Sequence, residues 1–144
     1  MNPVLMSPDC LHEFPLQLWT ARADGSLDFV NACVTGYFGV QAKQVLDQGW
    51  KDLCHPYDLI EATARWRHSI ATGEPYEVHF RLLRGSDKQF RWHVGRAIAV
   101  RLASDEVDYW AGSNCDIDVV KRAEEVANAI ALQARAELDR LSAG

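Results

Sequence analysis

The most constraining feature of the sequence is a series of strand-like runs, at 76–85, 89–102 and 106–117, separated only by short polar turns. Apolar side chains fall at every second position of these runs, as in a strand with one buried face. The predicted inward-facing residues are Tyr76, Val78, Phe80 and Leu82 in the first run and Phe90, Trp92 and Val94 in the second. Turns this short cannot hold a crossover helix, so the runs are expected to pair antiparallel.

The segment before these runs predicts a hairpin followed by helices. Two strand-like runs within 16–30 are separated by Asp24-Gly25, a dipeptide typical of tight hairpin turns. Glycines interrupt the helical pattern of 31–51, which predicts several short helices, whereas 56–72 predicts one longer helix. The order of elements therefore indicates an α+β domain in which helices cover one face of an antiparallel sheet.

The two helices with clear periodicity are expected to bury their apolar stripes differently. The stripe of the longer helix, predicted to face the sheet, is Ile60, Ala64, Trp66 and Ile70. The C-terminal segment carries Val120, Ala123, Ala127, Ile130, Ala134, Leu138 and Leu141 at steps of three and four, like the seam of a coiled coil. This Ala-rich seam needs a second copy or its own sheet to pack on, and Asp118 is predicted to cap its helix.

We divide the chain into a leader (1–15), a domain (16–118) and a C-terminal helix (119–144).

Composition and charge exclude several classes of function. The chain has 144 residues, 48% hydrophobic and 24% charged, with a formal net charge of -5 at pH 7. Because this balance offers no basic surface to a phosphate backbone, nucleic acid is not an expected partner. The apolar runs are too short to cross a bilayer and no signal peptide is apparent, so we expect a cytoplasmic domain without membrane insertion.

Several short motifs carry a family resemblance. In chain order they are ADGSLDFVN, CHPYD, TGEPYEVHFRLLR, FRWHVGRAIAV and WAGSNCDIDVVKRAEE. Together, over residues 16–125, they resemble PAS sensor domains with a C-terminal PAC segment, of the PAS fold-3 subtype found in bacterial sensory-box histidine kinases. The chain departs from that pattern at Asp118, where the family has Thr, at His79, where Glu is common, and in the turn RGSDKQ.

The resemblance implies a five-stranded antiparallel PAS sheet with helices on one face, followed by a C-terminal amphipathic helix. It implies a sensory or dimerisation module of a signalling protein, with a sensor histidine kinase favoured as the parent and a diguanylate cyclase second. Asp116, Ile117 and Asp118 would form the junction that relays a change in the sheet to the helix, since packed helices have discrete arrangements. The expected partners are a second copy, an effector domain of the parent and a small-molecule ligand of unknown identity.

Motifs for catalysis or for a phosphoacceptor site are not found in the sequence. It has no Walker-type glycine loop, no Gly-x-Ser-x-Gly and no His-Glu-x-x-His. None of its five histidines lies after His93, so the C-terminal helix carries no phosphoacceptor histidine. We therefore predict no catalytic residues, and a regulatory rather than an enzymatic role for the chain by itself.

Cofactors are not favoured, although one residue suggests haem. His68 lies where the resemblance places the proximal histidine of haem-binding members, but a surface histidine is the preferred interpretation. Flavin is less favoured still, because Cys54 stands in LCHP rather than in the Asn-Cys-Arg-Phe of flavin-adduct relatives. His55 and Asp58 have a tempting spacing, yet they match the family's helix-entry turn, so no metal site is predicted.

Aromatic side chains are the candidates for a ligand pocket between helices and sheet. They are Trp19, Phe29, Phe38, Trp50, Trp66, Phe80 and Trp92. Pockets are mostly apolar, but interiors are tightly packed, so a filled core is the favoured alternative. The later strands also carry Arg81, Arg91 and Arg96. We expect these arginines to pair with Glu77, Asp108 or Asp116 across the open face of the sheet rather than to anchor a ligand carboxylate.

The sequence is also compatible with two other functions. The first is a PAS module without a ligand that only pairs two subunits. The second is a small cone-shaped isomerase or dehydratase, with a buried carboxylate and His55 or His93 as the base. That enzyme class requires a polar, titratable pocket, whereas the predicted inward faces are almost wholly apolar.

Overall fold

The alternating runs and short turns produce the predicted antiparallel sheet. The computed structural model describes residues 8–143. Its strands are β1 Gln17–Arg22, β2 Leu27–Val30, β3 Tyr76–Leu83, β4 Phe90–Arg101 and β5 Val107–Asp116. They form one sheet in the order β2-β1-β5-β4-β3, and every neighbouring pair is antiparallel. The predicted fold class is confirmed.

Helices follow the first hairpin, as predicted, and the last strand leads directly into another helix. Those after the hairpin are α2 Ala32–Phe38, α3 Ala42–Val45 and α4 Pro56–Thr72, with a 3-10 turn at Gly49–Leu53. A short helix, α1 Pro8–Glu13, precedes the hairpin, and α5 Asp118–Ala143 follows the last strand. Side chains from α2, α3 and α4 pack with the inner face of the sheet in one core. None of the helices within residues 8–143 is both long and apolar enough to span a membrane.

The hairpin between β1 and β2 forms at the predicted dipeptide. Gly25 has a φ of 92°, a conformation that favours glycine. The Oδ1 atom of Asp24 accepts a hydrogen bond from the backbone N–H of Ser26 at 2.9 Å, which closes the turn.

Strand β3 presents its predicted face to the core, whereas β4 presents the opposite one. Tyr76, Val78, Phe80 and Leu82 are buried, as predicted. In the β3–β4 pairing, however, Phe80 lies opposite His93 and Arg81 lies opposite Trp92. Directly paired residues share a face, so His93 is on the inner face and Trp92 on the outer one. The prediction that Phe90, Trp92 and Val94 point inward was therefore wrong, although Val94 is buried, 8% exposed, on the outer face.

The stripe predicted for α4 was only partly right. Trp66 is buried and Ile70 packs on the core, but Ile60 is 78% exposed and Ala64 is also on the surface. Ala62 and Ser69 are buried instead. Helix α4 therefore turns a face with one small and one polar residue to the sheet, leaving room for the large ring of Trp66.

Part of the predicted N-terminal leader is a docked helix. Residues 1–7 of that leader lie outside the described part of the chain. Helix α1 contacts the domain through Asn31, whose Nδ2 donates to the carbonyl of Leu11 at 2.9 Å. The Oδ1 of Asn31 also accepts from the N–H groups of Leu18 at 3.0 Å and of Val34 at 3.3 Å. One buried amide thereby joins α1, β1 and the start of α2.

Helix α5 leaves the domain after its first residue. Asp118 is 2% exposed, but every later residue of α5 that the structure describes is exposed or half-buried. Val126, Ile130, Leu138 and Leu141 are each about 60% exposed or more. The helix starts one residue before the predicted position and presents its apolar stripe to solvent.

Candidate functional site

A small cavity lies between the sheet and the helices that cover its inner face. Its volume is about 50 Å³. Its walls are Trp19, Leu27, Val30, Val34, Phe38, Val45, Trp50, Leu53, Trp66, Tyr76, Phe80, Leu82 and Asn114. Of the aromatic residues proposed from the sequence, Phe29 and Trp92 do not line this cavity, and the other candidates do.

The two excluded aromatics lie on other surfaces. The ring of Phe29 contacts that of His12 from α1, with their centroids 5.4 Å apart. The ring of Trp92 lies on the outer face of the sheet, beneath the side chains of Arg81 and Lys121 at 5.0 and 5.2 Å. Trp92 therefore belongs to the surface where α5 begins.

None of the described residues that line the cavity carries a charged side chain. Its amide comes from Asn114 on β5, whose Oδ1 accepts from the indole N–H of Trp19 at 3.2 Å. The Trp19 ring lies so close to Gly112 that a Cβ at that glycine would be 2.3 Å from it. Because burying an unpaired charge is expensive, this lining suits only an uncharged molecule.

In this packing the cavity is small beside the cofactors considered from the sequence. Its volume is about 50 Å³, whereas pockets for drug-sized ligands are roughly 300–1,000 Å³, so haem or flavin would require the surrounding side chains to move apart. The Cys54 thiol is buried, and burial raises its pKa to about 12, which disfavours the thiolate.

His68, the haem candidate, lies on the surface of α4 rather than at the cavity. Its side chain is 64% exposed and its Nε2 is 3.0 Å from Glu74. Within residues 8–143, no group of three or more His, Cys, Asp or Glu side chains could hold a metal ion.

A polar cluster adjoins the cavity and reaches the junction. The ring of His93 is completely buried, and its Nδ1 is 2.8 Å from the carbonyl of Arg91. This distance requires a proton on Nδ1, so Nε2 accepts from the amide nitrogen of Gln17, 3.5 Å away. Burial lowers the pKa of His93 and thus favours this neutral form. Sequence alternation missed His93, since it singled out the neighbouring residues.

Asp116 holds the end of β5 through three partners. Its Oδ2 accepts from the hydroxyl of Tyr37 and from Nε of Arg91, both at 2.7 Å. Its Oδ1 accepts from the backbone N–H of Asp118 at 2.9 Å. Burial alone would raise the pKa of Asp116, but these hydrogen bonds dominate and lower it to about 2. The carboxylate is therefore ionised at neutral pH.

Asp118 does not cap α5 in the way the sequence suggested. Its Oδ1 accepts from the backbone N–H of Trp92 at 3.0 Å, and its Oδ2 accepts from Nε of Arg122 at 2.5 Å. The N–H of Ile117 donates to the carbonyl of Trp92 at 2.8 Å. The predicted cap was wrong because Asp118 is itself the first helical residue, and its carboxylate ties α5 to β4 instead.

The remaining arginines pair with carboxylates, but not always with the predicted ones. Arg96 pairs with Glu77 at 2.7 Å, as expected for facing strands. Arg81 instead binds Asp58 at the start of α4, with Nε and Nη2 at 2.8 and 3.0 Å from its two oxygens. The pair fastens the first turn of α4 to β3.

The isomerase alternative lacks its required geometry in the described part of the chain. His55 caps α4, its Nδ1 accepting from the N–H of Tyr57 at 3.1 Å. Neither His55 nor His93 is among the residues that line the cavity, and no carboxylate is among them.

Comparison with known proteins agrees with the fold and the motif order. The profile of the family described as PAS fold matches residues 27–114. A Sinorhizobium fredii protein, y4lL, described as uncharacterized, is 35% identical over 102 residues, which are 69% of this chain and 12% of that protein. The chain thus spans only a small part of this curated relative.

Solved structures show the same fold at low sequence identity. An RNA-binding Light-Oxygen-Voltage receptor matches with a TM-score of 0.72 and 20% identity, over 85% of this chain and 36% of that one. The N-terminal domain of a Marinobacter aquaeolei diguanylate cyclase with a PAS/PAC sensor gives 0.65 and 19%, over 73% and 97%. A sensory box histidine kinase/response regulator from Burkholderia thailandensis gives 0.64 and 20%, over 83% and 90%.

Proposed function

The chain belongs to the PAS family, and from that premise we propose that it senses a small, uncharged molecule in its inner cavity. The observation that carries the proposal is the apolar, charge-free wall of a cavity of about 50 Å³. A molecule bound there would change how α2 and α4 pack on the sheet. The cluster around Asp116 and Asp118 would relay that change to α5, because both carboxylates bind β4 and the start of α5.

The output of this module would be the arrangement of α5 in a pair of chains. The stripe of Ile130, Leu138 and Leu141 is exposed in the single chain, and burying it requires a partner. We propose a second copy of the chain, because the seam has near-heptad spacing. The parent that we favour is a cytoplasmic sensor histidine kinase, with a diguanylate cyclase second. PAS domains of both kinds are among the structural neighbours.

The size of the cavity also favours a second candidate function. A volume of about 50 Å³ is small for a ligand pocket. A module that binds nothing and only pairs two subunits would have such a filled interior. The two functions differ in one measurable property, namely whether the cavity takes up a small apolar probe.

Xenon is a suitable probe because neutral apolar atoms enter dry apolar cavities. Compared with helium at the same pressure, xenon is expected to shift the amide resonances of lining residues such as Val34 and Leu82. The variant Val34→Phe, or Val34→Leu if the larger ring prevents folding, should reduce the response. Val126→Phe, on the exposed helix, should leave it unchanged. If xenon shifts no lining residue of the unaltered chain, ligand sensing is ruled out in favour of the pairing module.

A further inference from the structure

One side chain bridges the cavity wall and the junction. Helix α2 contributes Val34 and Phe38 to the cavity wall. Tyr37, between them in sequence, directs its hydroxyl to Asp116 at 2.7 Å. Its ring also contacts the rings of Phe38 and His93, with centroids 4.8 and 5.2 Å away. The same residue therefore touches a wall of the cavity and the carboxylate that precedes α5.

The backbone of Tyr37 is held in place, while its side chain extends from the cavity wall to Asp116. The N–H of Gly85 donates to the carbonyl of Tyr37 at 3.0 Å. Gly85 approaches so closely that a Cβ there would be 2.3 Å from the carbonyl oxygen of Phe38. The end of α2 is thus anchored at the turn after β3. Outward pressure on Val34 would turn α2 about that anchor and displace the Tyr37 hydroxyl.

Asp116 can transmit such a displacement because one of its oxygens binds α2 and the other binds the start of α5. Oδ2 accepts from Tyr37 on α2 and from Nε of Arg91 on β4. Oδ1 accepts from the N–H of Asp118, the first residue of α5, at 2.9 Å and from Nη2 of Arg91 at 3.3 Å. A rotation of the carboxylate that follows the Tyr37 hydroxyl would therefore alter the hydrogen bond at the start of α5.

From these contacts we propose that the Tyr37 hydroxyl is a positioning group that carries movement of the cavity wall to the start of α5 through Asp116. This inference rests on the proposed sensing function. The variant Tyr37→Phe isolates the hydroxyl, because it keeps the ring contacts and leaves Arg91 bound to Asp116. The junction should then stay folded but no longer respond to the cavity.

The test compares xenon with helium in the full chain and follows amide resonances at both ends of the path. In the unaltered chain we expect shifts at Val34 and also at Asp118 and Lys121. In Tyr37→Phe the shifts at Val34 and the xenon affinity should remain, whereas the shifts at Asp118 and Lys121 should be lost. Tyr57→Phe is the matched control, since Tyr57 is 78% exposed at the start of α4, and it should behave like the unaltered chain.

A second readout separates positioning from a general structural role. Removing the hydroxyl should raise the pKa of Asp116, which loses one donor to its ionised form, as followed by the carboxyl carbon resonance. Equal xenon shifts at Asp118 in Tyr37→Phe and in the unaltered chain would overturn this inference alone. A cavity response without any junction response in the unaltered chain would instead overturn the proposed relay, and this inference with it.

Discussion

At the scale of single residues, Asp118 connects a helix to a strand through one nearly buried carboxylate. Its side chain is 3% exposed, and it accepts hydrogen bonds from the N–H of Trp92 and from the guanidinium of Arg122. Burial acts against ionisation, but these donors prevail and the pKa of Asp118 is lowered. Asp118 therefore contributes stability that is present above the ordinary carboxyl pKa and is lost in acid, as pH falls through its lowered value.

Two substitutions separate the contribution of the hydrogen bond with the Trp92 N–H from the contribution of the carboxylate charge. Asp118→Ala leaves the Trp92 N–H without its acceptor, which is expected to cost about 1–3 kcal/mol of unfolding free energy. Asp118→Asn keeps an acceptor for that N–H and loses only the charge, so it should cost less. Denaturant titrations of both variants measure the difference. If Asp118→Asn lowers the unfolding free energy as much as Asp118→Ala does, the charge of Asp118 contributes more to stability than its contact with Trp92.

The buried His93 should make the unfolding free energy depend on pH in a range different from that of Asp118. The unfolded residue titrates near pH 6.5, whereas burial lowers the pKa of the folded one. The unfolded state therefore binds more protons, and the unfolding free energy should fall as pH drops below about 6.5, by at most about 1.4 kcal/mol per pH unit. His93→Gln should remove this slope. His68→Gln should retain it, because that exposed residue lies outside the cluster, and an unchanged slope in His93→Gln would refute the assignment.

At the scale of elements, periodicity identified which segments fold but not always which face is buried. Strand β3 alternated cleanly because the polar residues Glu77, His79 and Arg81 lie on its outer face. Strand β4 has aromatic residues on its outer face and a neutral, hydrogen-bonded His93 on its inner face. A rule based on hydrophobicity cannot find such a buried polar group, because one of its partners, Gln17, is distant in the sequence. The prediction of the apolar stripe of α4 was partly wrong in the same way, since Ser69 is buried and Ile60 is exposed.

Helix α5 carries the prediction that concerns the proposed pairing of two chains. Ile130 lies on the seam and is 63% exposed, while Leu132 lies off the seam and is 74% exposed. Ile130→Glu should weaken pairing by about tenfold or more, which corresponds to about 1.4 kcal/mol. Leu132→Glu should have little effect, because it adds the same charge on another face of the helix. Sedimentation equilibrium measures both, and equal losses for the two variants would place the interface elsewhere.

At the scale of the whole molecule, the fold could be predicted from the sequence more fully than the site. Short turns and motif order were enough for the five-stranded antiparallel sheet. The cavity was only partly predicted, because its volume depends on how Trp19, Trp66 and Phe80 interlock in three dimensions. The Tyr37–Asp116 contact joins residues 79 positions apart, and no local pattern indicated it.

The proposed sensing function requires that the state of the cavity change the start of α5. Amide hydrogen exchange of the full chain under xenon, with helium at equal pressure as the reference, tests it most directly. We predict that xenon changes the exchange rates of Asp118 and Lys121 along with those of α2. Val34→Phe should abolish both changes. Altered exchange confined to α2, with the first turn of α5 unaffected, would contradict the account.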